Sequence, residues 1–232
     1  MLLSVADLIV QVEPKYNLLK TRSVPYIYSG EKKPDVIINL SDKFFSDRQK
    51  ENPHLSIDEC EYIYTGFYFY TEIVKFDGVM LHASAVQYEN FAYLFSANSG
   101  TGKSTHTHLW LKKFPTAEIL NDDKPAIRLI DGKYYAFGTP WSGKFDESIN
   151  TKTEIAGITF LERGETNTIE KVSGGDVTID FLNQTVRPGK KEYMIPFMEV
   201  LDKILSNVPV YKMKCNISLE AVETSYRAMK RS

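Results

Sequence analysis

The chain has 232 residues, of which 43% are hydrophobic and 25% are charged. This composition suits a globular protein with one large α/β domain, or with one domain and a small appendage. The formal net charge of −2 gives no overall electrostatic reason to expect nucleic acid or an anionic membrane as a partner. No apolar run approaches the length of a membrane span, and the first residues lack a basic leader, so we expect a cytoplasmic protein.

The N-terminal third predicts two strands followed by helices. Leu3 to Val12 is apolar with polar interruptions and predicts one strand, which ends before Pro14. Residues 35–40 predict a second strand, after which Ser41 is a plausible helix cap. Ser56 and Glu59 have capping-box spacing and predict a helix that continues to about residue 75. Cys60 and Cys215 are too few for a disulfide framework and predict buried free thiols.

The helix after Ser56 is rich in aromatic residues. Its predicted core-facing positions are Ile57, Tyr64, Phe67, Tyr68 and Ile73. A platform for stacking ligands is one interpretation of so many rings. Core packing of a helix with a wide apolar face is the interpretation we favour.

The middle of the chain alternates strands, tight turns and helices. Residues 79–86 predict a strand that turns at 88–90 into a second strand, Phe91 to Phe95. Asp131-Gly132 is a two-residue hairpin turn between two further strands. Other predicted elements are a helix at 103–113, strands at 117–120, 126–130, 133–137, 155–161, 168–172 and 208–214, and helices at 177–182, 191–205 and 219–229. Adjacent hairpin strands predict a mixed sheet rather than an all-parallel one.

A glycine-rich loop stands between the strand ending at Phe95 and the helix beginning at Lys103. It matches the phosphate-loop pattern G-x-x-x-x-G-K-[ST], except that Ala97 stands at the first glycine position. Strand, loop and helix N-terminus gather backbone N–H groups around one point, which suits a polyphosphate. Lys103 supplies a cation for the phosphates and Ser104 a hydroxyl ligand for Mg²⁺. The predicted nucleotide-binding residues are Asn98, Ser99, Gly100, Thr101, Gly102, Lys103, Ser104 and Thr105.

Asp122 and Asp123 follow a predicted strand, where side chains line the crevice of such sheets. One carboxylate, assigned to Asp122, would hold Mg²⁺ together with Ser104, and its neighbour would act as the base for a hydroxyl. Adjacent residues of an extended chain point in opposite directions, so both can serve only if the chain turns here. A simple polar turn is the alternative interpretation.

Other polar residues have two interpretations each. His82 is either a core histidine or a contact to phosphate or acceptor. His106 and His108 point about 200° apart on a helix, which favours structural roles over a metal pair. The loop Gly138 to Lys144 either closes over the site, with Ser142 and Lys144 at phosphate or acceptor, or is a surface loop pinned by Trp141. Basic residues Arg187, Lys190 and Lys191 would meet nucleotide or an acidic peptide, or form a solvated run.

The segments SANSGTGKST, LHASAV, NDD, GTPWSGK and VPVYKMK together resemble the HPr kinase-like proteins. The resemblance implies the mixed α/β phosphate-loop fold shared by HPr kinase/phosphorylase and ATP-dependent phosphoenolpyruvate carboxykinase. It also implies an ATP- and Mg²⁺-dependent kinase of a serine hydroxyl, with Lys103 and Ser104 at phosphates and metal, an aspartate base, and His82 as the upstream histidine. HPr kinase's later arginine- and glycine-rich signature has no counterpart here, which argues against HPr as the substrate and against the phosphorylase reaction. The resemblance is closer to small stand-alone members encoded with peptide-maturation cassettes, some of which phosphorylate a serine of a peptide.

We therefore expect a phosphate-loop kinase domain at 79–232, with a small α/β appendage at 1–78 that would bind the acceptor, a peptide or small protein. Asp122, Asp123, His82 and Lys144 are the predicted catalytic residues. A nucleotide-binding regulatory protein without catalysis is one alternative. A carboxykinase-type enzyme acting on a small oxyacid is another, although the seven arginines show no cluster in the sequence. The oligomeric state stays open.

Overall fold

Two sheets organise residues 1–231, the part of the chain that the computed structural model describes. The smaller sheet has three strands in the order β1-β2-β3, and the larger has nine strands. The N-terminal elements are β1 (Leu2–Val5), β2 (Leu8–Val12), α1 (Asn17–Arg22), β3 (Val36–Ile38), α2 (Asp42–Glu51) and α3 (Ile57–Glu72), with 3-10 turns at Val24–Tyr26 and Ile73–Phe76.

The first predicted strand is in fact a hairpin. Leu3 to Val12 was expected to be continuous, but Ala6 and Asp7 have φ angles of 53° and 58° and reverse the chain between β1 and β2. Positive φ at both central residues fits the right-handed twist of the two strands. Neither residue is glycine, so the composition gave no clear turn signal.

Helix α3 begins at the predicted capping box, in which Ser56 and Glu59 exchange hydrogen bonds. The preferred interpretation of its aromatic residues, core packing, is confirmed, but the buried face is a different one. Tyr62, Phe69 and Tyr70 are buried, whereas Phe67 and Tyr68 are 46% and 36% exposed. Tyr62 and Tyr70 can be buried because their hydroxyl groups form hydrogen bonds in the interior. A pattern based on hydrophobicity alone does not detect such contacts, so it selects the wrong face of the helix.

The larger sheet is mixed, as predicted. Its elements are β4 (Gly78–Met80), β5 (Ala83–Tyr88), β6 (Phe91–Ser96), β7 (Glu118–Asn121), β8 (Ala126–Ile130), β9 (Lys133–Phe137), β10 (Lys152–Arg163), β11 (Thr168–Val172) and β12 (Val210–Cys215). The path runs β4-β8-β9-β10-β6-β5-β7, and β12 pairs with both β10 and β11. Strand β10 is parallel to β6 and to β12, and the other pairings are antiparallel.

The predicted strand at 79–86 is divided into β4 and β5. Strand β4 pairs with β8, while β5 pairs with β6 and β7. Between them, the backbone N–H of His82 donates to the carbonyl oxygen of Gln184 at 2.6 Å, outside the sheet. The chain changes its pairing partner at this point, and His82 is thereby released from a regular strand position.

Helices cover both faces of the larger sheet: α4 (Lys103–Lys113) and α7 (Leu219–Met229) on one, and α5 (Gly174–Asn183) and α6 (Lys191–Asn207) on the other. Neighbouring residues of β6 show this alternation, because Leu94 packs with the α5–α6 side and Phe95 with the α4–α7 side. A further core joins the N-terminal elements to the sheet, since Leu3, Phe69, Phe137 and Trp141 belong to one buried cluster. Within residues 1–231, no helix has both the length and the apolar character needed to cross a bilayer.

Candidate active site

The glycine loop, defined as residues Ala97–Gly102, joins β6 to α4. Gly100 and Gly102 have φ angles of 78° and 123°, which glycine adopts without strain. A Cβ atom at either position would meet nothing within 4 Å, so there is open space beside both. Gly102 is the N-cap of α4, and no side chain in the described part of the chain caps that end. The first N–H groups of the helix are thus available to an anion.

Lys103 lies at the first position of α4 and is 8% exposed. Its Nζ donates to the carbonyl oxygen of Ala97 at 2.9 Å. Burial lowers the pKa of this amine, although the nearby Asp123 carboxylate opposes the shift. Ala97 has a negative φ, so the residue that departs from the glycine pattern causes no backbone strain. The lysine is held inside the loop by a neutral oxygen that an anion could replace.

Asn121 shapes the turn that carries the two aspartates. Its side-chain oxygen accepts hydrogen bonds from the backbone N–H groups of Asp123 and Lys124, at 3.0 and 2.6 Å. Its Nδ2 donates to Ser148 Oγ at 3.1 Å. This arrangement is an Asx turn, in which the side chain replaces a backbone acceptor. The chain therefore bends at this point, and both Asp122 and Asp123 line the same cavity.

The two carboxylates have different partners. Asp122 is 4% exposed, and its Oδ1 accepts from the backbone N–H of Gly143 at 2.5 Å. Burial raises the pKa of Asp122, and the Gly143 contact offsets only part of that shift. Burial would also raise the pKa of Asp123, but His82 and Lys124 together hold it below its ordinary value. Asp123 is thus the more firmly ionised carboxylate of the pair.

His82 connects Asp123 to the glycine loop. Its Nε2 lies 3.0 Å from Oδ1 of Asp123, and its Nδ1 lies 2.8 Å from Oε1 of Gln184. The Nε2 of Gln184 in turn donates to Oδ1 of Asn98 at 2.9 Å. The His82 side chain is 31% exposed, so it is not a core histidine. Gln184 was missed because a single glutamine at a helix end carries no sequence signal for such a contact.

The Gly143 loop, defined as residues Trp141–Asp146, forms the opposite wall. Trp141 is buried and stacks on Phe69, with ring centroids 4.9 Å apart. Ser142 does not line the cavity, and its buried Oγ donates to Oδ1 of Asp146 at 2.8 Å, which favours a structural role over a contact to phosphate or acceptor. Lys144 does reach the cavity, where it is exposed, and its Nζ lies 4.8 Å from the ring centroid of Phe145.

These groups surround one cavity of about 750 Å³. The predicted residues that line it are His82, Ser99, Gly100, Gly102, Lys103, Ser104, Thr105, Asp122, Asp123 and Lys144. Asn98 and Thr101 do not. Asn98 binds Gln184, and Thr101 lines a neighbouring cavity of about 540 Å³ that also includes Arg163. The sequence-predicted site is therefore brought together around one space, apart from these two loop residues.

The structural role expected for His108 is incomplete, because His108 also lines the cavity. Its Nδ1 lies 2.6 Å from the carbonyl oxygen of Ser104, and its Nε2 lies 3.1 Å from Oε2 of Glu147. Ser104, His108 and Lys112 are spaced four residues apart, which places them on one face of α4. That periodicity was a sequence signal that could have identified His108 and Lys112 as neighbours of the site.

Two other predicted groups lie apart from the cavity. His106 is buried, packs against Phe95 and lies 3.2 Å from Ser225 Oγ, so its structural role is confirmed, and burial lowers its pKa to about 4. The basic residues Arg187, Lys190 and Lys191 are exposed and are not part of the cavity wall.

The fold and this site define a mixed α/β protein in which a glycine loop, an open helix N-terminus and two carboxylates share one cavity. No protein-family model matches the sequence, and no curated protein sequence matches it either. Among solved structures, the chain is similar to the Hpr(Ser) kinase/phosphatase from Coxiella burnetii, with 12% sequence identity and a TM-score of 0.39. The match covers 64% of this chain and 94% of that one. A similarity at this level does not assign a function.

Proposed function

We propose that this chain binds Mg·ATP and transfers the γ-phosphoryl group to a hydroxyl, that of a serine in a peptide or small protein. One observation carries the proposal: the glycine loop, the open N-terminus of α4 and the Asp122–Asp123 turn all face one cavity. Phosphoryl transfer needs this combination of phosphate donors, oxygen ligands for a metal and a carboxylate near the acceptor. The resemblance of the loop and NDD segments to HPr kinase-like proteins points to the same reaction and to a fold of that type.

The nucleotide phosphates belong at the N-terminus of α4. The glycine loop and the first helical turn supply backbone N–H donors. The open space beside Gly100 and Gly102 lets a phosphate approach the backbone closely. Lys103 then exchanges the Ala97 carbonyl for a phosphate oxygen and neutralises charge that develops during transfer.

The residues present suit a magnesium ion. When bound, Mg²⁺ would neutralise phosphate oxygens and hold the β- and γ-phosphates in a fixed geometry. Ser104 and Asp122 line the cavity and provide the hard oxygen ligands that this ion prefers. Oδ1 of Asp122 accepts from Gly143, and the carboxylate lines the cavity, where it would also ligate the cation. In residues 1–231 no three His, Cys, Asp or Glu side chains form a ready-made metal site, which suits an ion held largely by substrate phosphates.

We assign Asp123 as the base that accepts the proton of the acceptor hydroxyl. His82 contacts its carboxylate at 3.0 Å and fixes its orientation. In the transfer step the acceptor hydroxyl gives its proton to Asp123, and its oxygen bonds to the γ-phosphorus. The bond from that phosphorus to the bridging oxygen breaks, which releases ADP. Lys144 at the cavity mouth provides a second cation for the transferred group or for the acceptor.

The acceptor belongs on the wall formed by His108, Lys112, Lys144 and Phe145. Phe145 is 51% exposed and offers an apolar contact, while the two lysines form no ion pair with any carboxylate of the described residues. A peptide with apolar and acidic side chains next to its serine suits such a surface. A contribution of residues 1–78 to acceptor binding remains part of the proposal.

Among the described residues that line the cavity, none is an arginine. A carboxykinase acting on a small oxyacid would need arginines for the substrate carboxylate, so the cavity favours a kinase over this alternative.

Radiolabelled phosphoryl transfer from γ-³²P ATP to an array of serine, threonine and tyrosine peptides tests the proposal. We expect wild-type protein to label serine peptides. Asp123→Asn should bind Mg·ADP normally and transfer about 100-fold more slowly, because the proton acceptor is lost. Asp122→Asn should instead lose the Mg²⁺ dependence of nucleotide binding.

The matched control is Asp131→Asn, an exposed turn residue with a φ of 50° that asparagine tolerates. Transfer by Asp131→Asn should equal that of wild type. Nucleotide binding without labelling of any hydroxyl would contradict the kinase assignment and favour the regulatory protein. Full transfer by both Asp122→Asn and Asp123→Asn would show that the two aspartates form only a polar turn.

A further inference from the structure

One side chain from the N-terminal part of the chain reaches the wall that carries Gly143. Arg22 is the last residue of α1, and its side chain is 12% exposed. Its Nη1 and Nη2 donate to the carbonyl oxygens of Ser142 and Gly143, at 3.2 and 3.0 Å. Its Nε pairs with Oδ1 of Asp146 at 3.0 Å. The guanidinium group therefore contacts three residues of one short loop.

The Ser142–Gly143 peptide group connects this contact to the cavity. Its carbonyl oxygen accepts from Arg22 and from the hydroxyl of Tyr62, the latter at 2.7 Å. The N–H of the same peptide group donates to Oδ1 of Asp122 at 2.5 Å. A cation at the carbonyl end polarises the peptide group, and polarisation strengthens the hydrogen bond at the N–H end.

We propose that Arg22 is a positioning residue for the active site, which acts on Asp122 through the Ser142–Gly143 peptide group. The planar fork of the guanidinium fixes both the position and the plane of this peptide. The N–H of Gly143 then holds the Asp122 carboxylate in a fixed orientation at the wall of the cavity. The inference deepens the proposed function and rests on it only for the transfer measurement.

Helix α1, which carries Arg22, is bound to α3 by hydrogen bonds. Asp58 on α3 accepts from the backbone N–H of Leu18 at 2.8 Å. Glu61 on the same helix accepts from the N–H groups of Lys15 and Tyr16, at 2.7 and 3.0 Å. The N-terminus of α1 is thereby attached to α3 by two carboxylates, which favours a defined direction for the arginine at its other end.

Close packing explains why a displacement of the Gly143 loop would also displace Asp122 and Asp123. A Cβ atom at Gly143 would lie 2.8 Å from Oδ2 of Asp122 and 3.0 Å from Cβ of Asp123. The loop backbone therefore touches the acidic turn directly, with no side chain between them. A shift of the loop by a fraction of an ångström would move the carboxylates with it.

Amide hydrogen exchange and steady-state kinetics on Arg22→Gln, Arg22→Lys and the control Lys20→Gln test the proposal. Lys20 is an exposed residue of the same helix. In Arg22→Gln we expect exchange at residues 142–147 to be about tenfold faster, because local opening becomes easier. Lysine lacks the planar fork of the guanidinium group, so exchange at these residues in Arg22→Lys should be faster than in wild type but slower than in Arg22→Gln. Exchange in Lys20→Gln should match wild type.

In the same variants, kcat for phosphoryl transfer should fall about tenfold or more in Arg22→Gln while KM for ATP changes by a much smaller factor. Tyr62→Phe removes one donor to the same carbonyl and provides a second variant should Arg22→Gln fold poorly. It should accelerate exchange at 142–147 to a smaller extent.

Unchanged exchange at 142–147 in both Arg22→Gln and Tyr62→Phe would overturn the proposal, as would an equal acceleration in the glycine loop. If wild-type protein transfers no phosphate, the proposed function fails. The exchange measurement then still decides the role of Arg22, because it requires no activity.

Discussion

The glycine loop and the Gly143 loop face each other across the cavity, and they are held by contacts of different range. Within the glycine loop, Thr101 N–H donates to the Asn98 carbonyl at 3.2 Å, and Lys103 donates to Ala97. These contacts join residues no more than six positions apart. Gln184 and Arg163 add contacts from other elements. One short segment thus encodes the two glycine φ angles and the two local hydrogen bonds of the loop, and distant side chains add contacts to its outer backbone and to Asn98.

The opposite wall, which is the Gly143 loop together with the adjoining turn at residues 122–124 and Ser148, depends on distant residues. Tyr70 donates to the carbonyl oxygen of Lys124 at 2.6 Å, Tyr26 lies 2.8 Å from Ser148 Oγ, and Arg22 binds the Gly143 carbonyl. These pairs are 54, 122 and 121 residues apart in the chain. All three partners come from the first seventy residues.

This difference predicts that nucleotide binding and phosphoryl transfer depend on different parts of the cavity wall. Substitutions in the glycine loop should alter nucleotide affinity, because the phosphates would bind there. Substitutions in the opposite wall should lower the transfer rate far more than the nucleotide affinity, because this wall would orient the carboxylates. The N-terminal part then supports the acidic turn, in addition to any contact that it makes with the acceptor.

Lys103→Ala changes the glycine loop and should have the largest effect on nucleotide binding. Removing a charge-assisted contact costs about 1.5–3 kcal/mol, so the Kd for Mg·ADP should rise by about 10- to 150-fold. Isothermal calorimetry measures it, with Lys133→Ala as the control, an exposed lysine outside the cavity wall. Undiminished affinity in Lys103→Ala would remove the phosphate-loop assignment.

Gly143→Ala should affect the other wall alone. Its Cβ would push against Asp122 and Asp123, so transfer should fall by about tenfold or more while the Kd for Mg·ADP changes by a much smaller factor. Gly175→Ala is the matched control, because a Cβ there lies 3.6 Å from its nearest neighbour, an ordinary contact. Parallel losses of affinity and transfer in Gly143→Ala would show that the two walls do not act separately.

Tyr70→Phe should have the smallest functional effect and sharpen the comparison through stability. The buried hydroxyl bonds to Lys124 O and to Thr139 Oγ1, so its removal should lower the free energy of unfolding by about 1–3 kcal/mol. Urea denaturation measures this change. Tyr68→Phe, on the exposed face of the same helix, should cost nothing measurable. Equal stability of the two variants would mean that the hydroxyl contacts do not support the acidic turn.

The sequence predicted those features that arise from neighbouring residues. The loop between β6 and α4, the Asp131-Gly132 hairpin and the Ser56 capping box each depend on a few consecutive side chains, and each is found where expected. Lys103, Ser104 and the two aspartates could be chosen for the same reason.

Features that depend on the packing of distant segments could not be predicted in this way. The break at His82 follows from a change of strand partner, and the Ser142 carbonyl is held by Tyr62, which lies 80 residues away in the chain. Arg22 lies 120 residues from Ser142, and nothing in the residues around it indicates that contact. His108 is the exception, since its helical spacing from Ser104 was visible.

Amide hydrogen exchange with and without Mg·ADP is the measurement that tests the central claim most directly. If the nucleotide phosphates bind at the N-terminus of α4, exchange at residues 98–105 should slow when Mg·ADP is added to wild-type protein. That protection should be absent in Lys103→Ala, and strands β1 to β3 should exchange equally in all samples. Nucleotide binding without slower exchange at 98–105, or with protection confined to another region, would contradict the account.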